Sequence, residues 1–226
     1  MITTMIFDLD GLLADTEKLH RQAYRDALAE HGIDLSYRQY DEHWIRDGKG
    51  IRDFIAEHNL SIDPTVIRPR KAARYEALVR SNVQPMPGAL HVLATLRRHK
   101  TLALATSSYQ DDALAVIETL GIKDCFSCIA TKSNVERIKP FPDIFLWVAS
   151  RLAVTPTQCL VLEDAEKGIL AANAAGMRSI AIPNVHTRGN DFSRATIVLS
   201  SLEQLTLEVI EKLERSQLRR SGATRA

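Results

Sequence analysis

What the sequence has little of narrows it first. Its 226 residues include only three cysteines, Cys125, Cys128 and Cys159, too few for a disulfide framework, and Cys125-Phe-Ser-Cys128 lies in a strand-like segment with no second pair to complete a zinc site. The three read as structural thiols. No charge sign dominates: Lys plus Arg total 29 against 28 for Asp plus Glu, a formal net charge of +1, so no overall field draws the chain to nucleic acid or to an acidic membrane surface. No uncharged apolar stretch approaches the roughly 18 residues that a membrane span requires, and the N-terminal residues run into Asp8 with no basic region or cleavage pattern. The expectation is a cytoplasmic protein without a membrane or nucleic-acid partner, working as a monomer. Internal repeats and low-complexity segments are also missing, although RSQLRRSGATRA at the C-terminus is expected to be frayed and solvated.

Present instead are enough apolar residues, 45% of the chain, to fill a substantial core. From residue 85 onward short apolar runs (TLALAT, FSCIA, QCLVL, RSIAIP, TIVLS) alternate with helix-like segments, the mark of a parallel sheet covered by helices on both faces. MIFDLD adds a further strand. Residues 15–84 break the alternation with helical segments only, among them TEKLHRQAYRDALAEHG, where Leu19, Ala23, Ala27 and Leu28 share a face and Gly32 suits the stop. The predicted fold is α/β: a Rossmann-like, doubly wound parallel sheet formed by residues 1–14 and 85–226, with an inserted, small, all-helical domain over 15–84. Gln84-Pro85-Met86-Pro87-Gly88 stiffens the return to the sheet.

MIFDLDG ends an apolar run in two carboxylates, Asp8 and Asp10, with Gly11 behind them. If the strand persists that far, the two point the same way about 6.6 Å apart, and at an effective dielectric of about 20 they repel by roughly 2.5 kcal/mol. A compensating cation is implied. QCLVLED ends a second run in Glu163 and Asp164, ahead of Gly168 and an alanine-rich helix. Ligands of a doubly wound sheet gather outside the carboxyl ends of its strands, so neighbouring strands would pool four acids there. Hard oxygen donors favour Mg2+, which keeps waters and commonly serves a phosphate. TLALATSS ends a third run in Thr106, Ser107 and Ser108 before a helix N-terminus, a plausible phosphate cradle, although Ser and Thr are also ordinary cap and turn residues. In IKPFPD, prolines restrict the backbone around Lys139, which fits a directed ammonium at the same site as well as a surface lysine before a turn.

Taken together, Asp8-Leu9-Asp10-Gly11, Thr106 after LALA, Lys139 in KPFPD and Glu163-Asp164 in LEDAEKG resemble, in order and spacing, the four motifs of the haloacid dehalogenase superfamily of aspartate-nucleophile phosphotransferases. The helical insert after the first motif resembles the small cap of the beta-phosphoglucomutase-like subgroup. The resemblance implies a phosphatase for small phosphorylated metabolites, with Asp8 as nucleophile and Asp10 as acid and base. It implies Mg2+ held by Asp8, the backbone carbonyl of Asp10, Asp164 and Glu163, while Thr106 and Lys139 bind the transferring phosphoryl oxygens. Retention of Asp10 argues against dehalogenation. His20 and Lys71 fall where mutase-like members carry a histidine and a cap lysine, although Arg70, Lys71 and Arg74 also read as a solvated basic face. GKGIRDFI departs from the mutase pattern, since Ile51 stands where the mutase has the arginine that grips a distal phosphate; Lys49 or Arg52 would have to substitute. A phosphosugar mutase is therefore the alternative to a hydrolase. A receiver-type signalling module is more remote, because it lacks such an insert.

Overall fold

A computed structural model describes residues 1–223, with side chains through Arg215. The chain begins with β1 (Thr4–Phe7), a buried strand of four residues. It then enters four helices, α1 (Glu17–Ala29), α2 (Tyr37–Tyr40), which continues as a π-helical turn over Asp41–Arg46, α3 (Ile51–Glu57) and α4 (Pro64–Asn82). After α5 (Ala89–Leu96) the alternation is β2 (Thr101–Ala105), α6 (Gln110–Thr119), β3 (Cys128–Ala130), α7 (Asp143–Arg151), β4 (Cys159–Glu163), α8 (Glu166–Ala174), β5 (Arg178–Ala181), β6 (Ile197–Val198) and α9 (Leu207–Ala223). The tail expected to fray is helical backbone to Ala223, and its side chains after Arg215 and its last three residues lie outside the described residues.

The six strands form one parallel sheet in the order β3-β2-β1-β4-β5-β6. Alternate residues of β1 feed different cores, as a doubly wound sheet requires. Met5 and Phe7 pack with Leu102, Leu104, Leu160 and Leu162 under α5, α6 and α9; Ile6 packs with Ala103, Ala105 and Val161 under α7 and α8. Register positions the chemistry. Phe7 is level with Leu104 on one side and Leu162 on the other, so the residues that follow all three strands emerge at one edge.

The insert has a small core of its own around Leu28, Leu35, Tyr40, Phe54 and Ile67, where Trp44 stacks on Tyr40 and lies tilted against Phe54. Leu19, Ala23, Tyr75 and Val79, by contrast, join the core of the sheet. The connections into and out of the insert run side by side: Asp15 donates its backbone N–H to Gln84 at 2.9 Å and Met86 donates to Leu13 at 2.9 Å. Cys125 closes a 3-10 turn instead of lying in a strand, Cys128 opens β3, and all three cysteines are free. No described helix is long and apolar enough to cross a membrane.

Candidate active site

A cavity of about 790 Å³ lies between the carboxyl ends of the strands and the insert. Its wall includes Asp8, Asp10, His20, Lys49, Arg52, Lys71, Thr106, Ser107, Ser108, Lys139, Glu163 and Asp164. Of the candidate catalytic, metal-binding and substrate-binding residues named from the sequence, Gly11 is outside this lining. It sits behind Asp164 at φ +79°, where a Cβ would meet the Asp164 carboxylate and the Asn184 amide.

Asp8 follows β1 directly and donates its N–H to Leu162 O at 3.0 Å, so β4 fixes its backbone. Its Oδ1 accepts from Lys139 Nζ at 2.5 Å, and the same ammonium reaches Glu163 Oε1 at 2.6 Å and the carbonyl of Ala105 at 2.7 Å. Lys139 is thus no surface lysine: it is 4% exposed and tied to all three central strands. Gly168, in the first turn of α8, leaves the space that the Glu163 carboxyl fills, and a Cβ there would collide with it. One carboxylate oxygen each from Asp8, Glu163 and Asp164 can lie within 4.8 Å of one another.

The electrostatics of this trio are unfavourable for the protein alone. Burial pushes the Asp8 carboxyl up despite Lys139, with Asp10 adding to the rise. Burial likewise takes Glu163 up to about 7 against the pull of Lys139, and Asp164 rises well above the usual range through burial and the charges of Asp8 and Glu163. Burial opposes the charge of Lys139, but Asp8 and Glu163 outweigh it and hold the ammonium protonated above its ordinary range. Three buried carboxylates face one bonded ammonium, Lys139, and the charge of Lys167 in the cavity wall, which leaves the balance negative; the donors are all hard oxygens, so the set fits a hard divalent cation such as Mg2+. Asp164 is oriented by Asn184, whose Nδ2 donates to it at 2.8 Å and to Gly11 O at 3.0 Å.

Asp10 occupies a different setting. The expected extension of β1 through Asp10 does not occur: the strand stops at Phe7, and the chain turns through residues 9–14, where Gly11 N donates to Ala14 O and Ala14 N to Leu9 O. The positive φ of Gly11 makes that turn possible. The turn aims the Asp10 carboxylate at the boundary between sheet and insert. Its Oδ1 accepts from Thr16 at 2.7 Å and lies 3.3 Å from His20 Nε2; its Oδ2 accepts from Thr106 at 3.1 Å and Ser108 at 2.6 Å. Burial opposes ionisation, but His20 and the hydroxyls of Ser108 and Thr16 win and hold the acid well below the usual carboxylate range. The Asp10 side chain is not in the carboxylate trio; Ser107 Oγ, in the cavity wall, is buried with no partner among the described residues.

Lys71 is not part of a solvated face. It is buried on α4 and paired at 2.7 Å with Asp112 of α6, with its ammonium 4.1 Å from the ring centre of Tyr75, which stacks on His20. Arg70 and Arg74 pair with Glu30. Lys49 is held by Glu57 at 2.7 Å and Asp47 at 3.4 Å, and Arg52 sits exposed at the rim. Asn184, Thr16, Asp112 and Tyr109 were not visible in the sequence as site residues. Only Asn184 had a local signal, its place just after the fifth apolar run.

The family model for haloacid dehalogenase-like hydrolases matches residues 5–182. Fructose-1-phosphate phosphatase YqaB of Escherichia coli (strain K12) is 34% identical over 184 residues, covering 79% of this chain and 95% of that protein. CbbY from Rhodobacter sphaeroides, solved in complex with xylulose-(1,5)bisphosphate, superposes with a TM-score of 0.83 at 30% identity, covering 91% of this chain and 96% of that one. Beta-phosphoglucomutase from Clostridium difficile gives 0.81 at 28% identity, covering 96% and 99%.

Proposed function

This chain belongs to the haloacid dehalogenase-like hydrolases, in their beta-phosphoglucomutase-like subgroup, and from that membership we propose that it is a Mg2+-dependent phosphatase that hydrolyses small phosphomonoesters, sugar phosphates foremost, through an aspartyl-phosphate on Asp8. The observation that carries this is the convergence of Asp8, Lys139, Glu163 and Asp164 at the adjoining ends of β1 and β4.

In the proposed chemistry an Asp8 carboxylate oxygen attacks phosphorus as the ester P–O bond breaks, and Asp10 gives a proton to the departing oxygen. Asp10 then takes a proton from the water that cleaves the acyl phosphate, releasing inorganic phosphate and restoring Asp8. Its strongly hydrogen-bonded, ionised carboxylate suits the second step; a phosphate dianion brought beside it raises its proton affinity for the first. Lys139 neutralises the phosphoryl oxygens and holds Asp8 in line, while Ser107, unpartnered in the wall, and the backbone at the start of α6 offer further donors. Mg2+, held by Asp8, Asp164, the Asp10 carbonyl and Glu163, would supply charge stabilisation for the phosphoryl oxygens. Residues 15–84 serve as a cap over 1–14 and 85–226, shielding the site from water when they close.

The test is a screen of phosphorylated metabolites with and without Mg2+, with Asp8→Asn as control. Metal-dependent phosphate release that the substitution abolishes is expected, and activity unchanged in the variant would remove Asp8 as nucleophile. A mutase would instead convert a hexose 1-phosphate, given trace bisphosphate, to the isomeric phosphate.

A further inference from the structure

Each carboxylate of the trio has one oxygen already engaged by the protein. Lys139 Nζ lies 2.5 Å from Asp8 Oδ1 and 2.6 Å from Glu163 Oε1, and Asn184 Nδ2 lies 2.8 Å from Asp164 Oδ2. Among the described residues no donor engages Asp8 Oδ2, Glu163 Oε2 or Asp164 Oδ1, so each acid keeps one oxygen for an ion. Two of these engagements come from the lysine that also serves the phosphoryl chemistry. The third comes from an amide to which the proposed chemistry gives no part.

Asn184 follows β5 in the loop beside Asp164, and every polar group it has is committed. Its backbone N–H donates to Thr187 Oγ1 at 3.0 Å and its carbonyl accepts from Arg188 N at 3.0 Å. Its Oδ1 accepts from His186 N at 2.7 Å, while Nδ2 donates both to Asp164 Oδ2 and to Gly11 O, the latter at 3.0 Å. The amide fits only one way round. Reversed, it would set its oxygen against the Gly11 carbonyl and the Asp164 carboxylate, and its N–H groups against the His186 N–H. Gly11 leaves the room for this contact, since a Cβ there would come within 2.5 Å of Asn184 Nδ2 and 2.7 Å of Asp164 Oδ2.

Divalent ions differ in what they require of a carboxylate. Mg2+ needs a near-ideal octahedron, for which one oxygen from each acid suffices, whereas Ca2+ takes more oxygens in a looser arrangement and readily uses both oxygens of one carboxylate. We propose that Asn184 is a positioning residue for the ion, holding Asp164 to a single ligating oxygen and so biasing the site toward Mg2+ and against Ca2+. It rests on the reading of the trio as the ion site and adds a selectivity that a cluster of acids with both oxygens free does not have. Lys139 limits Asp8 and Glu163 in the same way, but its replacement would also disturb the phosphoryl chemistry. Asn184 is bonded to none of Asp8, Asp10 and Lys139 among the described residues, so its effect on the ion is separable.

The test is calorimetric titration of the metal-free protein with MgCl2 and, separately, with CaCl2 at one pH and ionic strength, in the wild type, Asn184→Ser and Asn184→Asp. Serine still offers an acceptor to the His186 N–H but is too short to reach Asp164; aspartate keeps the shape and the acceptor of the amide but has no N–H to give. In each variant the ratio of the Ca2+ to the Mg2+ dissociation constant should fall about ten-fold or more from its wild-type value. A role in loop structure alone would weaken both ions in proportion, so an unchanged ratio in the two variants would overturn the selectivity while leaving the ion site in place. Absence of binding of either ion to the wild type would overturn the ion site and the selectivity with it. Should neither variant fold, the wild type decides: tighter binding of Mg2+ than of Ca2+ is expected, and the reverse order would overturn the proposal.

Discussion

The two ends of the cavity are built on opposite principles. At the sheet end, three buried carboxylates surround one ammonium, and each is set by a strand terminus or the residue next to it. At the mouth, two cations share an aromatic ring and have no carboxylate, and they hang from helices and turns. The sheet end is therefore fixed by register, so its geometry survives changes elsewhere; the mouth depends on how the insert docks. The carboxylates belong to the sheet alone, whereas the mouth joins Arg68 of the insert to Tyr109 and Lys132 of the sheet domain.

The contrast is sharpened most by Asp8→Asn, which removes the nucleophile and should lower kcat by about 10⁴-fold or more while phosphate release is followed. Next is Lys139→Ala. It leaves Asp8 and Glu163 facing each other in a buried site, so denaturant unfolding without metal should lose about 3–5 kcal/mol. Because Mg2+ takes over part of the neutralisation, the loss should be smaller in its presence. Equal losses with and without Mg2+ would mean that the ion does not bind at these carboxylates.

A smaller effect is expected from Gly168→Ala, whose methyl enters the space of the Glu163 carboxyl and should cost about 1–3 kcal/mol in thermal or denaturant unfolding. Full stability would show that the glycine is not needed for the carboxyl's position. The pH dependence follows from the same crowding. Asp8, Glu163 and Asp164 hold protons more tightly folded than unfolded, where carboxylates titrate near ~4. Without metal the trio's contribution to stability thus falls as pH rises from about 4 toward about 7, the value to which burial takes Glu163. Mg2+ competes with those protons, so at one fixed Mg2+ concentration it should stabilise the protein against denaturant more at pH 8 than at pH 5, by about 2.7 kcal/mol where that concentration is a hundred times its dissociation constant. A larger effect at pH 5 would contradict the placement of the ion. At the mouth the changes in stability should be the smallest, within about 0.5 kcal/mol for exposed Arg68→Gln in denaturant unfolding.

How much of each end was legible in the sequence follows the same division. Asp8, Thr106, Glu163 and Asp164 could be read because each ends an apolar run, and parallel register then brings the ends of neighbouring runs level. Lys139 was legible from its prolines and order. The parallel sheet and the helical character of residues 17–82 were equally plain from periodicity. The turn after Phe7 was not, because apolar Leu9, Leu12 and Leu13 continue the strand pattern while packing into the core from a turn. Nor was the burial of Lys71, whose partner Asp112 is 41 residues away and reaches it only when α4 packs on α6. Tyr109 carries no signal in the sequence, because Arg68 and Lys132 reach its ring from elsewhere in the chain.

The central claim is that Asp8 carries the phosphoryl group between ester and water. It is tested most directly in Asp10→Asn, which lacks the base for the second step, supplied with Mg2+ and p-nitrophenyl phosphate, whose leaving group departs without a proton. Mass spectrometry of the acid-quenched protein should find one phosphoryl group on the peptide containing Asp8. Nitrophenol release with that peptide unmodified, or a phosphoryl group on another residue, would contradict it.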